Sequence, residues 1–269
     1  MDTHQSAHWG LSIDSSVSSE SHGVFFLSEE FRLHYYTVPV SEDISADTHR
    51  IYNAIFAEAD SWFLARMWNF IPEINAIQNG MEHYRSFCEG RSLAFYDCFG
   101  CSAEARMPAA TGVGGKNESF VVAVLYSKSP VKHLENPRQV PAYCYPVDYG
   151  PRSPSFARAT LCSSLAFISG TSAIRGHQSL GGGNVSEQLQ ITLDNLQVMQ
   201  NQLLRAGMTE SFKRYIVVYL RNSGDLKCIG NMLKQGFFSL EDGWCILQAD
   251  ICRAELDVEI EITYLLEKS

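Results

Sequence analysis

The stretch DICRAELDVEIEI, residues 250 to 262, concentrates the groups best able to do acid–base chemistry. Asp257, Glu259 and Glu261 alternate with Val258, Ile260 and Ile262, and Cys252 stands seven residues before Glu259. Alternation with period two predicts a strand whose apolar set faces a core and whose acidic set faces the other way. On periodicity alone that acidic face is solvated, and Cys252 is a small core hydrophobe. Elsewhere the chemistry-bearing patterns are weak. Cys98-Phe99-Gly100-Cys101 has the inner spacing of a zinc knuckle but no second pair at a matching interval. The eight histidines form no H-E-x-x-H or two-His-one-carboxylate pattern along the chain, and His4 and His8 lie in a polar tail, so no metal is expected. Ser169 and His177 lack a G-x-S-x-G elbow. The glycines of MPAATGVGG (107 to 115) have no Walker lysine after them and read as a tight backbone loop.

The elements that must position these groups fall into two similar series. Residues 1–23 read as a flexible arm, and VFFLSEEFRLHYYTVPV as two strands joined by a turn. A helix follows, capped by Asp47, with Ile51, Ile55, Ala59 and Phe63 as its buried stripe. Then come a strand through RMWNFIP, a helix through GMEHYRSFCEGR that carries Tyr84 and Phe87 inward and ends just before Arg91, and the strand SFVVAVLY. Six of the nine prolines lie in SPVKHLENPRQVPAYCYPVDYGPRSPS, which places the connection between two units at 136–157. In the second unit, strand 165–169 leads to a long helix begun by Ser186 and closed by Gly207. Strand 214–220, a shorter helix through Ile229, and the strands WCILQAD and DVEIEITYL complete it. The recurring order predicts an α+β fold of two modules, 24–135 and 158–269, each a mixed sheet with helices on one face.

With 269 residues and 45 % hydrophobic content the chain can bury one large core or two ordinary ones. A formal net charge of -9 without a long basic run argues against nucleic acid or an anionic membrane as partner. The longest apolar run, 120 to 126, is too short to span a bilayer. Scattered cysteines and an opening with no leader pattern predict a cytoplasmic protein with reduced thiols, as a monomer or small homo-oligomer.

Residues 150 to 265 resemble the reactive-intermediate deaminase superfamily, through GPRSPSFARA (150–159), FISGT (167–171), Gln188, Asn195 and Leu196 on the long helix, and VEIE (258–261). From Trp62 on, the ordered words ARMWNFIPEIN, FCEGR, PAATGVGG, ENPRQVPAYCYP, YGPRSPSFARA, FISGT and DICRAELDVEIE are similar to a chorismatase. That resemblance implies two deaminase-like (chorismate-mutase-like) modules with a cofactor-free site between them. It implies chorismate as substrate, Glu259 as proton donor, and Cys252 at the position that separates the 3-hydroxybenzoate-forming members, which have cysteine, from the diol-forming members, which have alanine. Two departures accompany it. Trp244 falls, without gaps, where the deaminases hold a carboxylate-binding arginine. Chorismatases also run longer at the N-terminus, which puts the opening strands of the first module in question.

Chorismate is a dicarboxylate with an enolpyruvyl ether, so such a site needs cations for the acids and a donor for the vinyl methylene. An acid that stays protonated near neutral pH needs burial or adjacent like charge, and Asp257 and Glu261 flank Glu259 at the nearest positions on its face. Arg158 with Tyr145 is expected to clamp one carboxylate and Arg91 with Tyr84 the other. Ser169 and Gly170, with Thr171, are expected to offer hydroxyl and backbone donors. The expected products are pyruvate and 3-hydroxybenzoate, with room for some 4-hydroxybenzoate. The alternatives are hydrolysis to a dihydroxycyclohexadiene carboxylate, or a non-catalytic ligand-binding module.

Overall fold

The computed structural model describes residues 21–115 and 119–267. The first sheet starts with the hairpin β1 (Ser21–Phe26) and β2 (Phe31–Pro39). The predicted arm therefore stops at Ser21, and the rest of it, with His4 and His8, lies outside the described residues. Helix α1 (Ile44–Ala59) is capped by Asp43, whose Oδ1 accepts the Ala46 N–H at 2.9 Å. Asp47, the expected cap, instead sits in the first turn and accepts from the Ser41 N–H. Asp60, at φ 47°, ends the helix, so Phe63 opens strand β3 (Phe63–Pro72) rather than closing the helical stripe.

Helix α2 (His83–Phe99) runs well past Arg91, which is thus mid-helix and faces inward. Gly90, which reads as a stop, is an interior position where α1 comes close: a Cβ there would lie 2.1 Å from the Ser45 carbonyl oxygen. Beyond it, the glycine-rich run expected to be a loop is strand β4 (Ala109–Gly115), paired in parallel with β3, and β5 (Ser119–Ser127) follows. The order is β1-β2-β5-β3-β4. Tyr52, Ile55, Phe87, Phe95, Met67 and Val122 are among the residues filling the space between this sheet and α1 and α2.

The second sheet begins earlier than the proline-rich stretch suggests, with β6 (Lys132–Leu134), followed by β7 (Ala159–Leu161) and β8 (Leu165–Thr171). Asn184 caps helix α3 (Val185–Arg205) by accepting from the Glu187 N–H, and the helix begins one residue before the expected start at Ser186. After α3 the chain turns at Gly207, φ +110°, into β9 (Phe212–Leu220), α4 (Leu226–Gly236), β10 (Gly243–Gln248) and β11 (Val258–Leu266). The order is β10-β9-β11-β8-β7-β6. Leu189, Leu196, Met199, Ile216, Ile229, Val258 and Ile260 close the core on the side of α3 and α4. Both units are thus mixed sheets with helices over one face.

Strand β4 is the joint. Ala109 bridges to Ala157, Val113 bridges to Ile251, and the Gly114 N–H donates to the Asp250 carbonyl at 2.7 Å. No helix among the described residues is long and apolar enough to cross a membrane.

Candidate active site

Strand β11 carries Val258, Ile260 and Ile262 into the core as its alternation requires, but its other face is not solvated: Glu259 is 3 % exposed and Glu261 6 %. The first unit covers that face. Arg66 on β3 makes an ion pair with Glu261 at 2.9 Å, the Trp68 indole N–H donates to the same carboxylate at 2.9 Å, and the Thr111 hydroxyl of β4 donates to it at 2.5 Å. Arg66 also bonds to Thr111 directly.

Glu259 has no such partner. Among the described residues its carboxyl receives a single long hydrogen bond, from Ser172 Oγ at 3.4 Å, and that hydroxyl donates better to the Val258 carbonyl at 2.8 Å. Burial, then the neighbouring Glu261 charge, push its pKa up to about 8. Asp257, expected to share in this, is turned away: its N–H donates to Gln188 Oε1 at 2.7 Å, and its carboxylate accepts from Gln188 and Asn222.

Gly170 lies on β8 where its pairing with β11 shifts register between Ile168 and Thr171. A Cβ at Gly170 would lie 2.1 Å from Glu259 Oε1, so only glycine leaves the carboxyl its place. The Gly170 N–H donates to Thr111 Oγ1 at 3.0 Å and is not free for a ligand. Ser169, expected at the site, is fully buried beneath it, where its Oγ accepts from the Ala110 N–H and donates to the Ala157 carbonyl. It locks β4 to β8 and lines neither of the two cavities beside Glu259; His177 is not paired with it but lies against Tyr149.

Glu259 faces a small recess of about 30 Å³ with Tyr84, Arg91, Thr111, Gly170 and Cys252. Glu259, Cys252, Gly170 and Tyr84 also line a cleft of about 760 Å³, whose walls add Tyr145, Arg158 and Arg253. Thus Glu259, Cys252, Gly170, Tyr84, Arg91, Tyr145 and Arg158, all expected here from sequence, line these two cavities, and Ser169 and Thr171 do not. The recess holds little more than a water-sized group, whereas the cleft admits a ring with two acid arms.

Cys252 sits in the loop 250–256, pinned by Arg221, whose guanidinium reaches Asp250 at 2.6 Å and the carbonyls of Ile251, Arg253 and Leu256. Burial first and then the Glu259 charge raise the Cys252 pKa, so the group is a neutral thiol. Burial likewise holds the Cys88 thiol up at about 12 and keeps the Tyr84 phenol protonated.

Three guanidinium groups face these cavities, Arg91 the recess and Arg158 and Arg253 the cleft, and none makes an ion pair with a carboxylate of the described residues. Arg91 is sandwiched among the rings of Tyr52, Phe87 and Phe95. Arg158 donates to Tyr145 Oη at 2.7 Å. Arg253, which the sequence reading missed although it adjoins Cys252, stacks 4.2 Å over Tyr149 and donates to the His177 carbonyl and Ser179 Oγ. Buried atoms without a partner among the described residues include Arg91 Nε, Arg158 Nε and Ser155 Oγ, all at this site. Buried polar atoms ordinarily find partners, so these three are available to meet a polar ligand here. Trp244, at the deaminase arginine position, stacks on Phe238 at 4.6 Å and lines neither cavity.

Comparison with known proteins gives a consistent family. Residues 9–126 match the profile described as "Chorismatase FkbO/Hyg5-like, N-terminal". A 3-hydroxybenzoate synthase of Streptomyces hygroscopicus is 39 % identical over 212 residues, 73 % of this chain and 62 % of that protein, so the chain spans less than two thirds of this relative. A chorismatase of Streptomyces rapamycinicus is 32 % identical over 241 residues, 83 % of this chain and 71 % of that protein. A crystal structure of a chorismatase superposes with a TM-score of 0.81 at 31 % identity, covering 88 % of this chain and 75 % of that one. With matches in sequence and in fold that run through both sheets and the cleft between them, the chain belongs to the chorismatase family.

Proposed function

We propose that this protein cleaves the enolpyruvyl ether of chorismate to pyruvate and 3-hydroxybenzoate. The observation that carries the reading is a buried carboxyl group, Glu259, its pKa pushed up to about 8 by burial and Glu261, between a recess lined by Arg91 and a cleft lined by Arg158 and Arg253, three guanidinium groups without carboxylate partners among the described residues. A dicarboxylate supplies the missing anions. Arg158 with Tyr145 and Arg253 suit one carboxylate at the outer wall, and Arg91 beside Tyr84 suits the other.

In this mechanism Glu259 gives its proton to the vinyl methylene carbon, and the ether becomes an oxocarbenium ion whose departure as pyruvate is easy. The 4-hydroxyl attacks C3 as the C3–O bond breaks and returns a proton to Glu259. The resulting arene oxide opens to the phenol, and no water is consumed. The neutral Cys252 thiol, beside Glu259, holds the ring so that this hydroxyl rather than water reaches C3. The 3-hydroxybenzoate synthase at 39 % identity favours the aromatic product.

Purified protein incubated with chorismate should release pyruvate and 3-hydroxybenzoate in equal amounts. A diol in place of the aromatic acid would overturn the product assignment, and no turnover would overturn the activity. Glu259→Gln keeps the shape but has no proton to give; pyruvate release should fall at least about a hundredfold, and a rate near that of the unaltered protein would remove Glu259 from the role.

A further inference from the structure

At the far edge of the first sheet the fold assembles what no stretch of sequence contains: two imidazoles and a carboxylate on three separate elements. His22 is on β1, His34 on β2 and Glu58 in the last turn of α1. Their ligand atoms all lie within 4.8 Å of one another. Glu58 Oε2 is 2.9 Å from His34 Nδ1 and 3.3 Å from His22 Nε2. Donors bound at about 2.0–2.1 Å to one tetrahedral ion stand roughly 3.3 Å apart, so closing the longest separation by at most about 1.5 Å brings all three onto a common centre.

We propose that His22, His34 and Glu58 form a binding site for one borderline divalent cation of the zinc type. Imidazole and carboxylate donors suit zinc, cobalt or nickel better than magnesium or calcium, which take oxygen shells. Three protein ligands leave a fourth position for water, and the exposed His22 side of the cluster faces solvent to supply it.

The surroundings support the arrangement. His22 is held flat against Tyr36, ring centroids 4.5 Å apart and 11° from parallel, so its ring is oriented already. His34 is buried on β2 with its ring against Tyr126, centroids 4.8 Å apart in an edge arrangement, so its orientation is set as well. Tyr36 Oη donates to Glu58 Oε2 at 3.0 Å and fixes the carboxylate. Two features limit affinity. The Arg32 guanidinium bonds to the Glu58 and Ala59 carbonyls nearby, and its charge opposes a cation. His34 Nε2 has no partner among the described residues, so the imidazole lacks there the outer hydrogen bond that usually strengthens such ligands.

The site is separate from the cleft. Glu259 is reached through β4, and β2 lies three strands away from β4 across the sheet, about 14 Å at the usual strand spacing. The ion's work is therefore mechanical: β1 is an edge strand, and the ion ties it to β2 and α1.

The test uses the whole chain, stripped with a chelator and titrated with Co²⁺ while visible absorption is recorded. One equivalent with the intense bands of a tetrahedral ion is expected, displaced by Zn²⁺, and Zn²⁺ should raise the melting temperature. His22→Ala, at an exposed position that keeps the fold, should weaken binding at least about tenfold, with unchanged circular dichroism. Glu58→Gln should do the same. Failure to bind an equivalent of Co²⁺, or binding in His22→Ala weakened less than that, overturns the site, the second result placing the metal on other histidines.

Discussion

Glu259 shows how far the order of residues along a strand carries and where a neighbour must finish the argument. Alternation correctly separates it from Val258 and Ile260, but alternation reports polarity and not destination. The acidic face is buried because β3 and β4 bring Arg66, Trp68 and Thr111 against it from more than 140 positions away in the chain. The same packing explains why Asp257 and Glu261, equivalent on paper, differ: one is bound to Gln188, the other lies beside Glu259. The acid form is required for proton delivery, so kcat/KM should hold steady from about pH 6 and fall with unit slope above about 8 in a pH–rate profile. A fall centred near the usual carboxylate value of 4.5 would contradict it. The sign for stability follows from the same shift. The unfolded chain loses this proton near 4.5 and the folded chain near 8, so rising pH through that window draws stability away, and above it the loss is complete. For Cys252→Ala, removing the thiol beside the acid should move product from 3-hydroxybenzoate toward the diol; an unchanged ratio on chromatography would take Cys252 out of product selection.

Among the elements, strands rich in Val and Ile and the long helix α3 were legible because hydrophobic period and length agree. Glycine misled. Gly90 reads as a helix end and MPAATGVGG as a loop, yet one lies within α2 and the other is β4. In both places glycine serves close approach of other backbone: Ser45 against Gly90, and Asp250 beside Gly114. That purpose depends on the partner element and leaves no local mark. Gly90→Ala, normally favourable in a helix, should here destabilise by about 1–3 kcal/mol, because α1 has to move away. Urea unfolding measures it, and a stabilised variant would show that α1 and α2 are looser than described.

For the molecule as a whole, the two-unit α+β architecture follows from the repeated order of elements, whereas the way the units meet does not. Their contact rests on β4 and on the buried pair Arg66–Glu261. Arg66→Met leaves Glu261 buried without its cation and should cost about 3–5 kcal/mol, while adding Glu261→Leu should recover most of that. Melting curves of the single and double variants check this; equal loss in both would mean that the pair contributes nothing beyond its separate parts. Glu259 stands beside this pair, so the double variant should also lower its pKa, loss of the Glu261 charge that raises it outweighing loss of the Arg66 charge that lowers it.

Arg66 and Glu261 are separated by 195 positions and belong to different sheets. In evolutionary terms they are a tether on drift. At this contact, as along β4 where Gly114 meets Asp250, a change of charge or size in one half calls for an answering change in the other.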